Sequence, residues 1–219
     1  MIEQQLEHVW AELPSNVTLI AVSKTKPISA LQEAYNAGQR HFGENKVQEM
    51  VEKAQQLPAD IKWHLIGHLQ TNKVKYMAGF VHLIHGVDSL KLLLEIDKQA
   101  SKVERIQDVL LQFHIAQEET KFGLELNEAL ELLASNTYLS LKNVRICGVM
   151  GMASFTTNEA QIREEFKNLV HIFNHLKQAC FYEEDHFKEI SMGMSGDYLL
   201  AVEQGSTMVR VGSKIFGSR

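Results

Sequence analysis

Short apolar runs alternate along most of the chain with longer segments in which apolar residues recur every three or four positions. The short runs are rich in Val, Ile, Leu and Phe, and several are continuously apolar, as in parallel strands that are covered on both faces. The pattern predicts eight strands, at residues 18–23, 40–43, 63–67, 82–87, 108–115, 144–150, 189–194 and 208–216.

Amphipathic helices are predicted before the first strand and between the strands. The first begins near Ile2 and ends at Pro14, and the longest follows a predicted cap at Thr156. Eight strand–helix alternations without a break in composition favour a closed barrel over an open doubly wound sheet, which would use about five such units. We therefore predict an α/β fold: a single (β/α)₈ TIM barrel with an extra N-terminal helix, as one domain over residues 1–219.

Net charge, cysteine content and the lack of long apolar runs limit the classes of protein to which this chain could belong. The 219 residues include 22 Lys and Arg against 27 Asp and Glu, a net charge of −5, which predicts no nucleic-acid partner. Cys147 and Cys180 have no pairing or metal-binding pattern, as in a reducing compartment. No signal peptide and no apolar run of about eighteen residues is visible, so we expect a cytoplasmic protein that is not bound to a membrane. An acidic surface without an obvious apolar stripe favours a monomer.

Small polar residues follow the seventh strand and interrupt the predicted eighth. Ser195 and Gly196 lie in the first of these loops, and Gly212 and Ser213 lie in the second. Active sites of such barrels lie at the carboxyl ends of the strands, where these two loops often bind phosphate. Glycine N–H groups can approach an oxyanion closely. The residues could also serve only to turn the chain, but two such loops converging on one place favour an anion site.

Lys24 directly follows the apolar run of the first strand, so we expect it at the barrel mouth. Partial burial there would lower the pKa of its amine and expose the nucleophile that a Schiff base requires. The alternative is a solvated loop lysine, as most lysines are, and Lys26 before Pro27 is the better candidate for that role.

Arg210 lies inside the last predicted strand, where its permanent charge needs a partner. That partner could be a carboxylate on a neighbouring strand, or a ring nitrogen or carboxylate of a ligand. A lysine, a phosphate site and an arginine together match the needs of pyridoxal 5′-phosphate (PLP). A Schiff-base aldolase acting on a sugar phosphate would need only the first two.

Five sequence blocks make a more specific case. They read AVSKTKP at residues 21–27, HFGENKVQE at 41–49, WHLIGHLQTNK at 63–73, SMGMSGD at 191–197 and VRVGSKIFG at 209–217. In this order they resemble the YggS/PROSC family of PLP homeostasis proteins, and they extend over nearly the whole chain. The family is similar in fold to the N-terminal barrel of alanine racemase.

The resemblance implies a role for each matching residue. Lys24 would hold PLP as a Schiff base, Arg210 would face the pyridine nitrogen, and Asn45 would line the site near the cofactor ring. The implied phosphate cup consists of Ser195, Gly196, Gly212 and Ser213.

An arginine partner keeps the pyridine nitrogen unprotonated, and an unprotonated ring is a poor electron sink. Similar racemases add a second base, a tyrosine from another domain, and we expect this chain to lack that domain because its sequence ends at Arg219. Its own five tyrosines are predicted in helices or at helix ends, away from the mouth. We therefore expect a PLP carrier without catalytic residues, which could pass PLP to apo-enzymes. A PLP-dependent amino-acid racemase of low activity and the aldolase remain alternatives.

Two histidine pairs have metal-like spacing. His64 and His68 lie four residues apart, as do His171 and His175. Neither pair has a carboxylate or cysteine nearby in sequence to complete three ligands, so no metal site is predicted.

Overall fold

A closed barrel of eight parallel strands forms the centre of the structure, a computed structural model that describes residues 1–117 and 122–217. Each strand pairs with the next along the chain, and the last pairs with the first, with Ile20 opposite Arg210. This confirms the predicted (β/α)₈ barrel. The strands are β1 (Thr18–Val22), β2 (His41–Glu44), β3 (Lys62–Leu65), β4 (Leu83–Val87), β5 (Gln107–Phe113), β6 (Val144–Gly151), β7 (Glu189–Met194) and β8 (Met208–Val211).

Helices surround the barrel, and the extra N-terminal helix is present. It packs against the second and last helices and buries Leu6 and Val9. A 3₁₀ helix, Thr71–Tyr76, connects β3 and β4. None of the helices in the described residues is long and apolar enough to span a membrane. The helices are α1 (Ile2–Glu12), α2 (Ile28–Asn36), α3 (Val47–Ala54), α4 (Leu90–Lys102), α5 (Leu126–Ala134), α6 (Asn136–Leu139), α7 (Glu159–Ala179), α8 (Tyr198–Glu203) and α9 (Ser213–Phe216).

The last predicted strand is too long. Strand β8 ends at Val211, and the next residues form helix α9 because the N–H groups of Ile215 and Phe216 bond to the carbonyl oxygen of Gly212 at 3.0 and 2.9 Å. A short apolar run is compatible with a buried strand or a buried helical turn, so the pattern alone did not separate them.

The predicted cap of the longest helix is also displaced. The side chain of Asn158, not Thr156, accepts a hydrogen bond from an N–H of the first turn of α7, that of Gln161. Thr156 instead accepts from the N–H of Asn158. Both residue types favour this position, so composition alone does not choose between them.

Two apolar clusters build the core. The larger one lies between the strands and the helices. The smaller one fills part of the barrel interior, because successive strand residues point to opposite faces. Its buried members are Ile20, Leu83, Leu110, Cys147, Met150 and Met208. Polar side chains are buried beside it, among them His64, His85 and Ser191, which need hydrogen-bond partners there.

Candidate cofactor site at the carboxyl end of the barrel

A cavity of about 500 Å³ opens at the carboxyl ends of the strands. Its size suits a small ligand. The structure brings all seven predicted site residues to its wall: Lys24, Asn45, Ser195, Gly196, Arg210, Gly212 and Ser213.

Lys24 lies half-buried in the turn that follows β1. The next residue, Thr25, has a φ of +65°, a left-handed conformation that is costly for a β-branched side chain. The ammonium of Lys26 donates to the carbonyl oxygens of Phe216 and Gly217, both at 3.0 Å. Both lysines line the cavity, but the ammonium of Lys26 is tied to the end of α9.

A largely buried polar cluster holds this turn in place. It consists of Ser23, Glu44, Glu49 and Lys53. The Lys53 ammonium donates to the carbonyl oxygen of Ser23 at 2.8 Å and to the carboxylates of Glu44 and Glu49, each at 2.7 Å. The Ser23 hydroxyl donates to Glu44 at 2.6 Å, and the strained Thr25 donates its N–H to Glu49 at 2.5 Å. The cluster thus holds both sides of Lys24.

The pKa values of the two carboxylates in the cluster are shifted in opposite directions. Burial raises the pKa of Glu44, and the hydrogen bonds from Lys53 and Ser23 offset only part of that effect. Burial also acts to raise the pKa of Glu49, but hydrogen bonds from Lys53 and Thr25 outweigh it and leave the pKa below its usual value. This cluster was not predicted from the sequence, although the four-residue spacing of Glu49 and Lys53 on α3 is a usable signal.

The loops after β7 and β8 are joined by a hydrogen bond. The N–H of Gly212 donates to the hydroxyl oxygen of Ser195 at 3.0 Å. A Cβ at Gly212 would lie 3.0 Å from the carbonyl oxygen of Val22, so a side chain there would crowd β1. Within the described residues, the N–H groups of Gly196 and Ser213 have no acceptor in the protein. The loops therefore offer unpaired donors at the cavity wall.

Arg210 reaches the same cavity from inside the barrel and is only 4% exposed. Its guanidinium donates to the hydroxyl oxygen of Ser191 at 2.6 Å and to the carbonyl oxygen of Gly151 at 3.1 Å. Neither partner is charged, so the structural ion pair considered for Arg210 is not formed in the described part of the chain. Burial lowers the pKa of Arg210 to about 10, which leaves it protonated at neutral pH.

Comparison with known proteins identifies the family. The model of the alanine racemase N-terminal domain matches residues 1–219. A pyridoxal phosphate homeostasis protein of Aquifex aeolicus is 41% identical over 202 residues, which cover 92% of this chain and 86% of that protein. Another, from Pasteurella multocida, is 38% identical over 224 residues, covering 100% and 94%. The chain belongs to the pyridoxal phosphate homeostasis protein family.

Solved structures agree with this family assignment. PipY of Synechococcus elongatus without PLP is 36% identical, with a TM-score of 0.92 over 99% of this chain and 100% of PipY. PipY with PLP bound is 37% identical, with a TM-score of 0.87 over the same shares. An alanine racemase of Clostridium difficile is 13% identical, with a TM-score of 0.81, and this chain covers 60% of it. That likeness concerns the fold alone.

Proposed function

We propose that this protein binds PLP reversibly in the cavity at the carboxyl end of the barrel and serves in PLP homeostasis. The observation that carries the proposal is that Lys24, the two joined loops and Arg210 all line one cavity. Family relatives named pyridoxal phosphate homeostasis proteins, and PipY with PLP bound, support it. PLP supplies an aldehyde that reacts with amines, a phosphate and a pyridine nitrogen.

Each of these groups has a counterpart in the cavity wall. The amine of Lys24 would hold the aldehyde as a Schiff base. Arg210 would donate to the pyridine nitrogen, and Asn45 would lie beside the ring. The phosphate would lie against the loop residues Ser195, Gly196, Gly212 and Ser213 and would accept from the unpaired N–H groups of Gly196 and Ser213.

Two features of the cavity fit this cofactor independently of family membership. The buried Arg210 has only neutral oxygen partners, so a further acceptor at the cavity would compensate its desolvation. The unpaired N–H groups of Gly196 and Ser213 would gain acceptors from a phosphate. A ligand with an anionic end and an acceptor nitrogen meets both needs.

The same residues favour a carrier over a racemase. Arg210 stays protonated and would donate to the pyridine nitrogen, which leaves the ring a weak electron sink. None of the five tyrosines lines the cavity, so none is available there as a second base opposite Lys24. The cavity residues can therefore hold the cofactor but supply little for turnover at the α-carbon of an amino acid.

The test is the spectrum of the purified protein with added PLP, before and after borohydride reduction, followed by peptide mapping. We expect the Schiff-base absorption and one reduced lysine, Lys24, with both lost in Lys24→Ala and retained in Lys26→Ala. Labelling that survives Lys24→Ala would contradict the assignment. Rapid racemisation of an amino acid by the wild type, abolished by Lys24→Ala, would contradict the carrier role.

We also propose that the protein is a cytoplasmic monomer and that PLP passes from it to apo-enzymes. The acidic composition and the two unpaired cysteines, Cys147 and Cys180, support the first statement. Light scattering tests the oligomeric state. Transfer is tested by mixing PLP-loaded protein with an apo-enzyme in the presence of a scavenger of free PLP.

A further inference from the structure

Three imidazole rings meet at the amino-terminal end of the barrel, opposite the proposed PLP cavity. His41 begins β2, His64 lies on β3, and His82 directly precedes β4. One ring nitrogen from each lies within 4.8 Å of the other two. The parallel register brings them together, since β3 lies between β2 and β4. Spacing along the chain does not reveal this arrangement, because each histidine lies on or directly before a different strand.

We propose that His41, His64 and His82 bind one divalent transition-metal ion, with Zn²⁺ as the best match. Three imidazoles leave the fourth position of a tetrahedral site open, and imidazole suits Zn²⁺, Ni²⁺ and Cu²⁺ better than Mg²⁺ or Ca²⁺. The proposal does not depend on PLP binding, because none of the three histidines lines the proposed PLP cavity.

The His41–His64 pair requires only a small adjustment, whereas the His82 nitrogen, which lies within 4.8 Å of the other two, must move closer. His41 Nδ1 and His64 Nε2 lie 2.9 Å apart, while two nitrogens on a tetrahedral Zn²⁺ lie about 3.3 Å apart. The His82 ring centroid is 5.2 Å from that of His64 and 5.8 Å from that of His41. His64 is fully buried, whereas His41 and His82 are half-buried and can rotate toward a common centre.

Burial disfavours the charged form of all three rings, and a metal-binding imidazole must be uncharged. Burial lowers the pKa of His41 to about 4 and also lowers that of His82. The positive charge of Lys62 lowers the pKa of both histidines further and would repel a bound cation. The negative charge of Asp108, near His82, would attract the cation. The hydrogen bond between His41 Nδ1 and His64 Nε2 places one proton between these two nitrogens. For both nitrogens to bind a metal ion, that proton would have to move to a ring nitrogen that does not face the metal.

A second hydrogen bond orients the central ligand. His64 Nδ1 lies 2.9 Å from Nε2 of His85, and His85 Nδ1 lies 2.9 Å from the hydroxyl of Ser191. Metal-binding histidines almost always use their other ring nitrogen in this way, which fixes the ring and its tautomer. The facing nitrogen of His64 is thereby directed at the proposed metal position.

The test is titration of chelator-treated protein with Zn²⁺ against a chromophoric chelator, repeated with Co²⁺ to read the coordination geometry. We expect one Zn²⁺ per chain and a tetrahedral Co²⁺ spectrum. His82→Ala, at a half-buried position, should weaken binding by more than about 100-fold, since loss of an outer partner of a ligand alone costs about 10- to 100-fold. Thermal unfolding of the metal-free variant, compared with the wild type, reports whether its fold is retained.

The matched control is the double variant His171→Ala/His175→Ala, which removes an exposed pair four residues apart on α7. It should bind Zn²⁺ as the wild type does. Binding that is lost in this control but retained in His82→Ala would overturn the proposal. So would an octahedral Co²⁺ spectrum, or no binding at micromolar Zn²⁺. If His82→Ala lowers stability, His41→Gln provides the same comparison with a smaller change.

Discussion

The ammonium nitrogen of Lys53 lies 2.8 Å from the carbonyl oxygen of Ser23, the residue before Lys24. This hydrogen bond joins helix α3 to the end of strand β1. The same ammonium pairs with Glu44 and Glu49, each at 2.7 Å. Helix α3 therefore fixes the backbone from which the proposed cofactor lysine extends.

Replacing Lys53 should cost much of the stability of the protein. In Lys53→Met the carboxylate of Glu44, which is fully buried, loses its cationic partner. Removal of one member of a buried pair costs about 3–5 kcal/mol. Urea denaturation of the variant and the wild type measures this difference in the free energy of unfolding.

The double variant Lys53→Met/Glu44→Gln is the control for that measurement. It removes both buried charges, so we expect it to recover a large part of the loss. If the double variant is as unstable as the single one, the unpaired carboxylate is not the cause, and packing of the Lys53 stem would be the better explanation.

Glu49 should stabilise the protein in a pH-dependent way. Its pKa in the folded state lies below the value of 4.5 for an unperturbed glutamate, so its contribution is present above pH 4.5 and is lost as the pH falls through the folded-state pKa. Glu49→Gln should lower the free energy of unfolding by about 1–3 kcal/mol at pH 7, as expected for hydrogen bonds to a charged group. Denaturation curves at pH 7 and at pH values below 4.5 measure how far the difference narrows.

Glu52→Gln is the matched control, since Glu52 is exposed on the same helix. It should change stability by less than about 0.5 kcal/mol at either pH. A deficit of Glu49→Gln that stays constant across the pH range would contradict the role assigned to its charge.

Gly193 should be intolerant of a side chain. Its φ is +93°, and a Cβ would lie 2.6 Å from the Cβ of Ala201 and 2.9 Å from the Cα of Tyr198. The backbone and packing costs together predict a loss of about 2–4 kcal/mol for Gly193→Ala. Thermal unfolding measures it, with Gly79→Ala as control, since a Cβ at Gly79 meets no atom within 4 Å. Equal stability of the two variants would show that the end of β7, where Gly193 lies, adapts freely.

The two thiols should react at very different rates. Burial raises the pKa of Cys147 to about 12, so only about one molecule in 10⁴ carries the thiolate at pH 8. Cys180 is exposed at the end of α7. A disulfide reagent at pH 8 should therefore label one thiol rapidly in the native protein and two after denaturation. Rapid labelling of Cys147 in the native state would mean that the barrel interior opens on that timescale.

The strands were predictable because they coincide with short, largely apolar runs, several of them continuously apolar, and each of the eight predicted segments overlaps an observed strand. The convergence of Lys24 and the two loops on one cavity was predictable for a related reason. In a barrel of parallel strands, the residue after each strand lies at the same end of the molecule, so Lys24 and Ser195 could be predicted to lie near each other. The errors fall where this local logic is ambiguous, at Thr156 and at the apolar residues after Gly212.

The buried cluster around Lys53 and the group of His41, His64 and His82 were not predictable in the same way. Apart from Glu49 and Lys53, which share α3, their members come from different elements, and each has an ordinary local context. Lys53 lies on an amphipathic helix, and His64 lies between Trp63 and Leu65 on a short strand. Their partners depend on strand register and on helix rotation, which no single segment encodes.

By itself, the order of apolar and polar residues determined the alternation of strands and helices, and with it the end of the barrel where Lys24 and the two loops would lie. Only the tertiary structure decided which side chains form hydrogen bonds or ion pairs with one another in the interior. The physical reason is that hydrophobic periodicity acts within a segment, whereas a hydrogen bond such as that between His64 and His85 requires atoms from separate segments to lie within about 3 Å.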